Sequence, residues 1–439
     1  MNKENKQAYL LFILAMFGYL IQLALNLFLA NHLTPDKYGD FNIALKFLEI
    51  FVECSLFGTS YGATIFLAKY IQQLKRTAEL DYITWNITLV SRSFFATFVL
   101  AATACILMFV LHYLGIKHIH QYYLAVYMLW VAPFAAVAAL MGCFFLSNNQ
   151  VFFAAILPDI LCYFLELIFF ITLVLFFNAT LTNLTIVITL LLAYLTLSIV
   201  SVFFTQNSML RLLILGLKKR SYQQMTSTPW FQASLKLIVN NIIFLIISVF
   251  DLLTIKIFAK NVLSVGHYGA VLTIVSVIWM IPNNLYKGIR PQYANLLKSK
   301  KGRDNLQSIL IQTSMVVDFL TIILGISIIY FSTTLLAHFG QSYLVAKPAL
   351  IFLTTAICIG SIIRSDAQSL LIYAELEHLV LKMNMMELFS MFLIVIPATY
   401  FWGIIGTAVS NGIIIMTYKP CVTVFLVHKK IGLRPLLVL

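Results

Sequence analysis

The sequence predicts an all-α polytopic membrane protein, with about twelve transmembrane helices in two six-helix lobes, arranged as parallel repeats around a central cavity. Three observations predict it. Of 439 residues, 61% are hydrophobic and only 10% charged, against roughly 25% charged in an average soluble domain. Apolar stretches of about 20 residues, the length that crosses a bilayer core, recur from end to end. The third observation is an internal repeat, L-N-L-F-L-A-N-H-L-T-P-D-K-Y-G-D-F at Leu25–Phe41 and I-K-I-F-A-K-N-V-L-S-V-G-H-Y-G-A-V at Ile255–Val271. Aligned without a gap, Phe28 meets Phe258, Asn31 meets Asn261, Leu33 meets Leu263, Thr34 meets Ser264, and Tyr38-Gly39 meets Tyr268-Gly269. Each copy closes one apolar run, makes a short polar turn and opens the next.

Taken in order, the apolar runs give spans 1–6 at 8–30, 41–68, 87–111, 122–146, 151–177 and 184–204. Spans 7–12 follow at 231–258, 268–289, 306–335, 349–373, 379–401 and 404–427. The first is too long for a signal-peptide core and reads as a retained helix. Because the repeat lays spans 1–2 over spans 7–8, the halves are six spans each, a construction common in membrane transporters. The predicted organisation is an N-lobe at 1–206, a basic cytoplasmic linker at 207–229 and a C-lobe at 230–439.

Loop charge sets the orientation. With a cytoplasmic N-terminus the inner segments hold fifteen basic residues: Lys3, Lys6, Lys75, Arg76, Arg211, Lys218, Lys219, Arg220, Lys298, Lys300, Lys301, Arg303, Lys429, Lys430 and Arg434. The outer turns hold four, Lys37, Lys117, Lys260 and Lys347. This is the positive-inside pattern with both termini cytoplasmic. Most of the net charge of +13 is therefore topology, and no nucleic-acid partner is implied.

Ionisable groups at bilayer depth cost about 2.5–3.5 kcal/mol or more, so each requires a partner or a wet cavity. Span 2 carries Asn42, Lys46, Glu49, Glu53 and Ser60 along one helical stripe. Span 5 carries Asp159, Tyr163 and Glu166; span 7 carries Lys236, Asn240, Ser248, Asp251 and Lys256. Span 8 carries Ser276, Asn283, Lys287 and Arg290, and spans 10–11 add Arg364, Asp366, Gln368, Lys382 and Glu387. Arg92 lies in span 3. Two readings stand for each: an ion pair or hydrogen bond holding the bundle together, or part of a hydrated lumen wall. The stripes on spans 2, 7 and 8 together favour the lumen, while Lys236, Lys287, Arg290 and Lys382 also have a snorkelling reading.

Pro282-Asn283-Asn284 marks a kink and hinge in span 8, its asparagines placed to satisfy freed carbonyls. The six cysteines lie in apolar runs without C-x-x-C spacing and read as packing residues. The histidines near outer turns, His32, His112, His118, His120, His267 and His338, lack metal-ligand spacing and read as surface residues. No metal or cofactor is expected. No phosphate-binding loop and no nucleophile–base pattern occurs, so the sequence reads as non-enzymatic.

Five short motifs carry a resemblance: L-x-P-x-x-Y-G-x-F at Leu33–Phe41, F-D-x-L-x-I at Phe250–Ile255, V-G-H-Y-G at Val265–Gly269, F-G-x-x-Y at Phe339–Tyr343 and W-G-I-I-G-T-A at Trp402–Ala408. In this order the chain resembles the oligosaccharide/polysaccharide flippases, the O-antigen branch, of the multidrug/oligosaccharidyl-lipid/polysaccharide exporter superfamily. The resemblance implies alternating access in the inner membrane, with a polyprenyl-pyrophosphate-linked oligosaccharide as substrate for polysaccharide and O-antigen assembly. It also implies H+ or Na+ as coupling ion, membrane lipids around the bundle and contact with polysaccharide polymerase machinery. The cationic substrate wall would comprise Lys46, Arg92, Lys256, Lys287, Arg290 and Arg364. Coupling carboxylates would be Asp251, Glu53, Glu49, Asp159 and Glu166. The alternative is a multidrug or small-solute cation antiporter of the same superfamily.

Overall fold

The computed structural model describes residues 3–56, 98–99, 101–110, 113, 122–147, 150–177, 180–204, 229–259, 261–287, 289–290, 293, 296–297, 299–364 and 366–433. Among them the fold is all helix, without a strand. Seven described helices are long and apolar enough to cross a membrane. The chain is a multi-pass membrane protein. Its contacts divide it into two compact units, Met1–Gly39 with Ile247–Leu439, and Asp40–Ile246.

The first unit holds α1 (Lys3–His32), the start of α2 (Pro35–Leu56), the second half of α9 (Pro229–Phe258) and α10 (Ser264–Lys287). After it come α11 (Lys300–Tyr330), α12 (Ser332–Phe339), a 3-10 turn at Gln341–Ala346, α13 (Lys347–Arg364), α14 (Ala367–Tyr373), α15 (Glu377–Ile413), a π segment at Ile414–Tyr418 and α16 (Lys419–Ile431). α1 lies along α10. Tyr19 donates from its hydroxyl to the Thr273 carbonyl at 2.9 Å, and fully buried Tyr38 donates to Asn26 Oδ1 at 2.9 Å and meets Thr273 Oγ1 at 3.2 Å. Each hydroxyl is thereby satisfied where no water reaches.

The repeated turns meet at their glycines. A Cβ on Gly266 would sit 1.8 Å from the Pro35 carbonyl oxygen, and one on Gly39 would sit 2.7 Å from the Gly266 nitrogen. Only hydrogen fits at either position. On the offset that aligns Tyr38 with Tyr268, Gly266 is the counterpart of Asp36, so the starts of α2 and α10 touch at nearly equivalent positions. The rest of this unit packs α10, α11, α14, α15 and α16 around Ile281, Tyr286, Leu306, Leu310, Val380 and Val427.

α15 runs through the break predicted between spans 11 and 12. Gly403 takes φ 59° and ψ −138°, a left-handed conformation that glycine adopts without the steric cost of a Cβ. The turn between two predicted spans survives as one sharp residue.

In the second unit lie the rest of α2, α3 (Ala101–Val110), α4 (Tyr123–Met128), α5 (Ala132–Ser147), α6 (Val151–Ile156), a π segment at Leu157–Leu161, α7 (Cys162–Phe177) and α8 (Asn183–Phe203). The π segment contains Pro158, whose missing N–H removes one helical hydrogen bond and leaves room for the extra residue. Thr182 and Thr185 cap α8 reciprocally, each side-chain oxygen accepting the other's backbone N–H. Ser198 ties α8 to α5 by donating to the Phe134 carbonyl at 2.8 Å.

Candidate ion-coupling site

Asp251 sits late on α9 at 4% exposure. Tyr268, one turn into α10, donates to its Oδ2 at 3.0 Å, and the Asn411 side-chain amide at the end of α15 donates to the same oxygen. Oδ1 has no hydrogen-bond partner among the described residues. Glu387, also 4% exposed, lies on α15 close enough to interact electrostatically with Asp251. Two buried carboxylates near one another make a local centre of negative charge suited to a proton or a cation.

This pocket contains one residue chosen from the sequence and three that were not assigned to it. Tyr268 was visible as the counterpart of Tyr38, but its role as donor to Asp251 was not. Asn411 is a lone amide in an apolar run, a signal that polarity at bilayer depth alone could have raised. In the sequence Glu387 is one more charge of spans 10–11, with nothing that links it to Asp251.

The remaining predicted carboxylates fall elsewhere. Glu166 is 2% exposed on α7, accepting from the Cys162 thiol at 3.5 Å. Asp159 lies in the π segment, seven residues or about two turns before it. Glu49 and Lys46 pair with each other at 2.8 Å, half-exposed, and Glu53 sits one turn further along α2.

Of the predicted cationic wall, Lys46 and Arg290 pair with acids. Arg290 donates from Nη2 to Asp366 Oδ1 at 2.9 Å and from Nε to Oδ2 at 3.1 Å, and Tyr293 donates to that Oδ2 at 3.0 Å. Burial alone would lower the Arg290 pKa; the facing Asp366 carboxylate outweighs it, so the net direction is up and the guanidinium stays charged. Lys256 lies in the last turn of α9, five residues after Asp251. Lys287 ends α10 and Arg364 ends α13. Arg92 lies outside the described residues.

Two expectations change. His267 is not a surface residue: it is 5% exposed, its ring edge-on to Tyr343 with centroids 5.2 Å apart. It was misread because it follows a polar turn, yet the close approach of α2 and α10 buries that turn. At the Pro282 kink, Asn284 donates to the Met280 carbonyl at 2.9 Å, whereas proline frees the carbonyl of Ile278. Asn283 is exposed. Neither asparagine is recorded on the freed carbonyl.

The chain is thus an all-helical, multi-pass bundle with buried carboxylates in its apolar interior. The neighbours among solved structures are MATE transporters of the MOP superfamily. The inward-facing conformation of a multidrug resistance MATE family transporter matches with TM-score 0.72 at 12% identity, over 97% of this chain and 98% of its own. The eukaryotic MATE transporter AtDTX14 matches at 0.66 and 13% identity, over 98% and 96%. A MOP superfamily transporter from Pyrococcus furiosus, whose binding pocket is described as having reverse polarity, matches at 0.65 and 12% identity, over 98% and 96%. No protein-family model and no curated protein matches the chain in sequence. The shared feature is the fold, about twelve helices in two lobes.

Proposed function

We propose that the chain is an alternating-access transporter of the inner membrane, driven by a proton or sodium gradient through Asp251. Its proposed substrate is a polyprenyl-pyrophosphate-linked oligosaccharide moved outward for polysaccharide assembly. The observation that carries the coupling is the buried Asp251–Glu387 pair with Tyr268 and Asn411. A carboxylate that must gain or lose a cation can bias two conformations only if its occupancy differs between them. Support for Asp251 in that role is that it lies on α9 and takes hydrogen bonds from α10 and α15, so a shift between these helices would change its ligands.

The flippase substrate rests on the ordered motifs and on the cations Lys46, Lys256, Lys287 and Arg364 as partners for a pyrophosphate. Two lobes of six spans around a cavity complete this proposal, with Pro282 as hinge and both termini cytoplasmic. A second reading, a multidrug or small-solute cation antiporter, is favoured by one observation: Lys46 and Arg290 are neutralised by Glu49 and Asp366. In proteoliposomes, lipid-linked oligosaccharide should move under an imposed gradient while cationic dyes do not. Dye movement without lipid movement would replace the flippase reading by the antiporter one. Asp251→Asn should abolish gradient dependence; a variant that keeps both rate and dependence removes Asp251 from the mechanism.

A further inference from the structure

Two basic segments far apart in sequence meet at one end of the first unit. α11 opens with Lys300, Lys301 and Arg303, and α16 closes with Lys429 and Lys430. Arg303 joins the two. Its Nε donates to the Leu297 carbonyl at 3.0 Å, and its Nη1 to the carbonyl of Ile431, 128 residues later, at 3.4 Å. Leu297, Leu306, Val427 and Ile431 belong to one apolar core at this junction. Each segment is also fixed locally. Ser299 caps α11 by accepting the Gly302 N–H at 3.0 Å, and α16 ends where the Gly432 N–H returns to the Val427 carbonyl at 3.2 Å. The cations therefore stand on two helix ends tied to each other.

Within the first two turns of α11 and the last two of α16, these five cations stand against one acid, Asp304, and all five are exposed. Unlike Lys46 and Arg290, none of the four lysines has an acid within ion-pair distance among the described residues. Like charges held together repel, so this end of the unit attracts an anion from outside. The neighbouring surface says which kind. On α16, Phe425 is 61% exposed one turn before Lys429, whose Nζ lies 5.7 Å from the ring centroid. On α11, the exposed side chains change from Lys301, Asn305 and Ser308 to Met315, Val316 and Phe319 further along. Both helices pass from cation to exposed hydrocarbon, which is the polarity of a phospholipid with an acidic headgroup. A soluble polyanion would leave the apolar part unmatched.

We propose that the junction of α11 and α16 is a docking site for anionic phospholipid. Lys300, Lys301, Lys429 and Lys430 take the headgroup phosphate, and Phe425 lies against an acyl chain. Loop charge accounts for basic residues at this end of the bundle, but it does not require two clusters 128 residues apart to be joined. The site is independent of the transported substrate and of Asp251.

The test is thermal unfolding of the purified full-length protein in phosphatidylcholine nanodiscs containing increasing phosphatidylglycerol, at constant ionic strength. Phosphatidylglycerol should raise the Tm by a few degrees in a saturable way. Lys429→Gln with Lys430→Gln, and separately Lys300→Gln with Lys301→Gln, should each raise the phosphatidylglycerol fraction at half-effect several-fold. The replaced side chains are exposed, so neither pair of substitutions disturbs packing. Lys37→Gln removes an exposed charge at the start of α2 and should leave the midpoint where it was. Absence of a gain with phosphatidylglycerol overturns the site, as does an unchanged midpoint in either lysine pair. An equal change in the Lys37→Gln protein would assign the effect to net charge. An equal gain from inorganic phosphate added to pure phosphatidylcholine discs would assign it to a soluble anion. Either result also overturns the lipid site.

Discussion

Burial decides what two very similar ion pairs are worth. Lys46 and Glu49 are 36% and 47% exposed as side chains, and such a pair contributes about 0–0.5 kcal/mol. Asp366 is 6% exposed and bridges Arg290 and Tyr293, so removing it strands a largely buried guanidinium at a cost of about 3–5 kcal/mol. Asp366→Ala should therefore lower the Tm by several degrees in detergent, and Glu49→Ala should leave it nearly unchanged. Both pairs were equally visible as acids and bases in the sequence. Their partners were legible for Lys46, three residues from Glu49, and illegible for Arg290, whose acid is 76 residues away. Glycine shows the same dependence on surroundings. Gly266→Ala drives a methyl into the Pro35 backbone and should cost about 1–3 kcal/mol. Gly142 in α5 has nothing within 4 Å of its Cβ position, so Gly142→Ala should stabilise by about 0.5–1 kcal/mol through helix propensity. Unfolding followed by intrinsic fluorescence distinguishes the two.

Among the elements, apolar length made the long helices readable, because a run of about 20 residues has one use in a membrane. The internal breaks were less legible. The π segment before α7 and the positive φ at Gly403 each depend on one proline or glycine whose effect the surrounding packing selects. Gly403→Ala meets no atom within 4 Å, so its cost is backbone strain alone, about 1–2 kcal/mol. Gly403→Asn should cost about as much, since ψ −138° lies outside the αL basin that asparagine tolerates; a clearly smaller loss would mean that the turn relaxes in ψ. In α10, the exposure of Asn283 and the Ile278 carbonyl, which Pro282 has no N–H to bond, suit a bend that changes angle during transport. Pro282→Ala should restore the helical bond and slow proteoliposome transport by several-fold without lowering protein abundance.

For the whole molecule, composition alone reached the fold class, and the repeat reached the pairing of the two hairpins. The coupling pocket was only partly within reach. Asp251 stood out as a charge in an apolar run, but Tyr268, Asn411 and Glu387 converge on it through tertiary packing that no local spacing encodes. The membrane orientation rests on loop charge and is tested by labelling single cysteines introduced at Lys117 and Lys301. The first should react from outside and the second from inside; the reverse pattern overturns the proposed sidedness of every residue named above.

The meeting of Gly39, Gly266 and Pro35 has a consequence for how that end of the bundle responds to its surroundings. No charged side chain is among the atoms that meet at the two glycines; backbone and the Val265 side chain touch there by short-range dispersion, and the neutral Tyr38–Thr273 contact lies further along. Such a contact is indifferent to ionic strength, which weakens interactions between exposed charges. Salt titrations should then leave this junction untouched while loosening surface pairs such as Lys46–Glu49. Whatever parts these helices must act by steric volume or by tension through the chain, since electrostatic screening gives no purchase on a junction made of hydrogen and carbonyl.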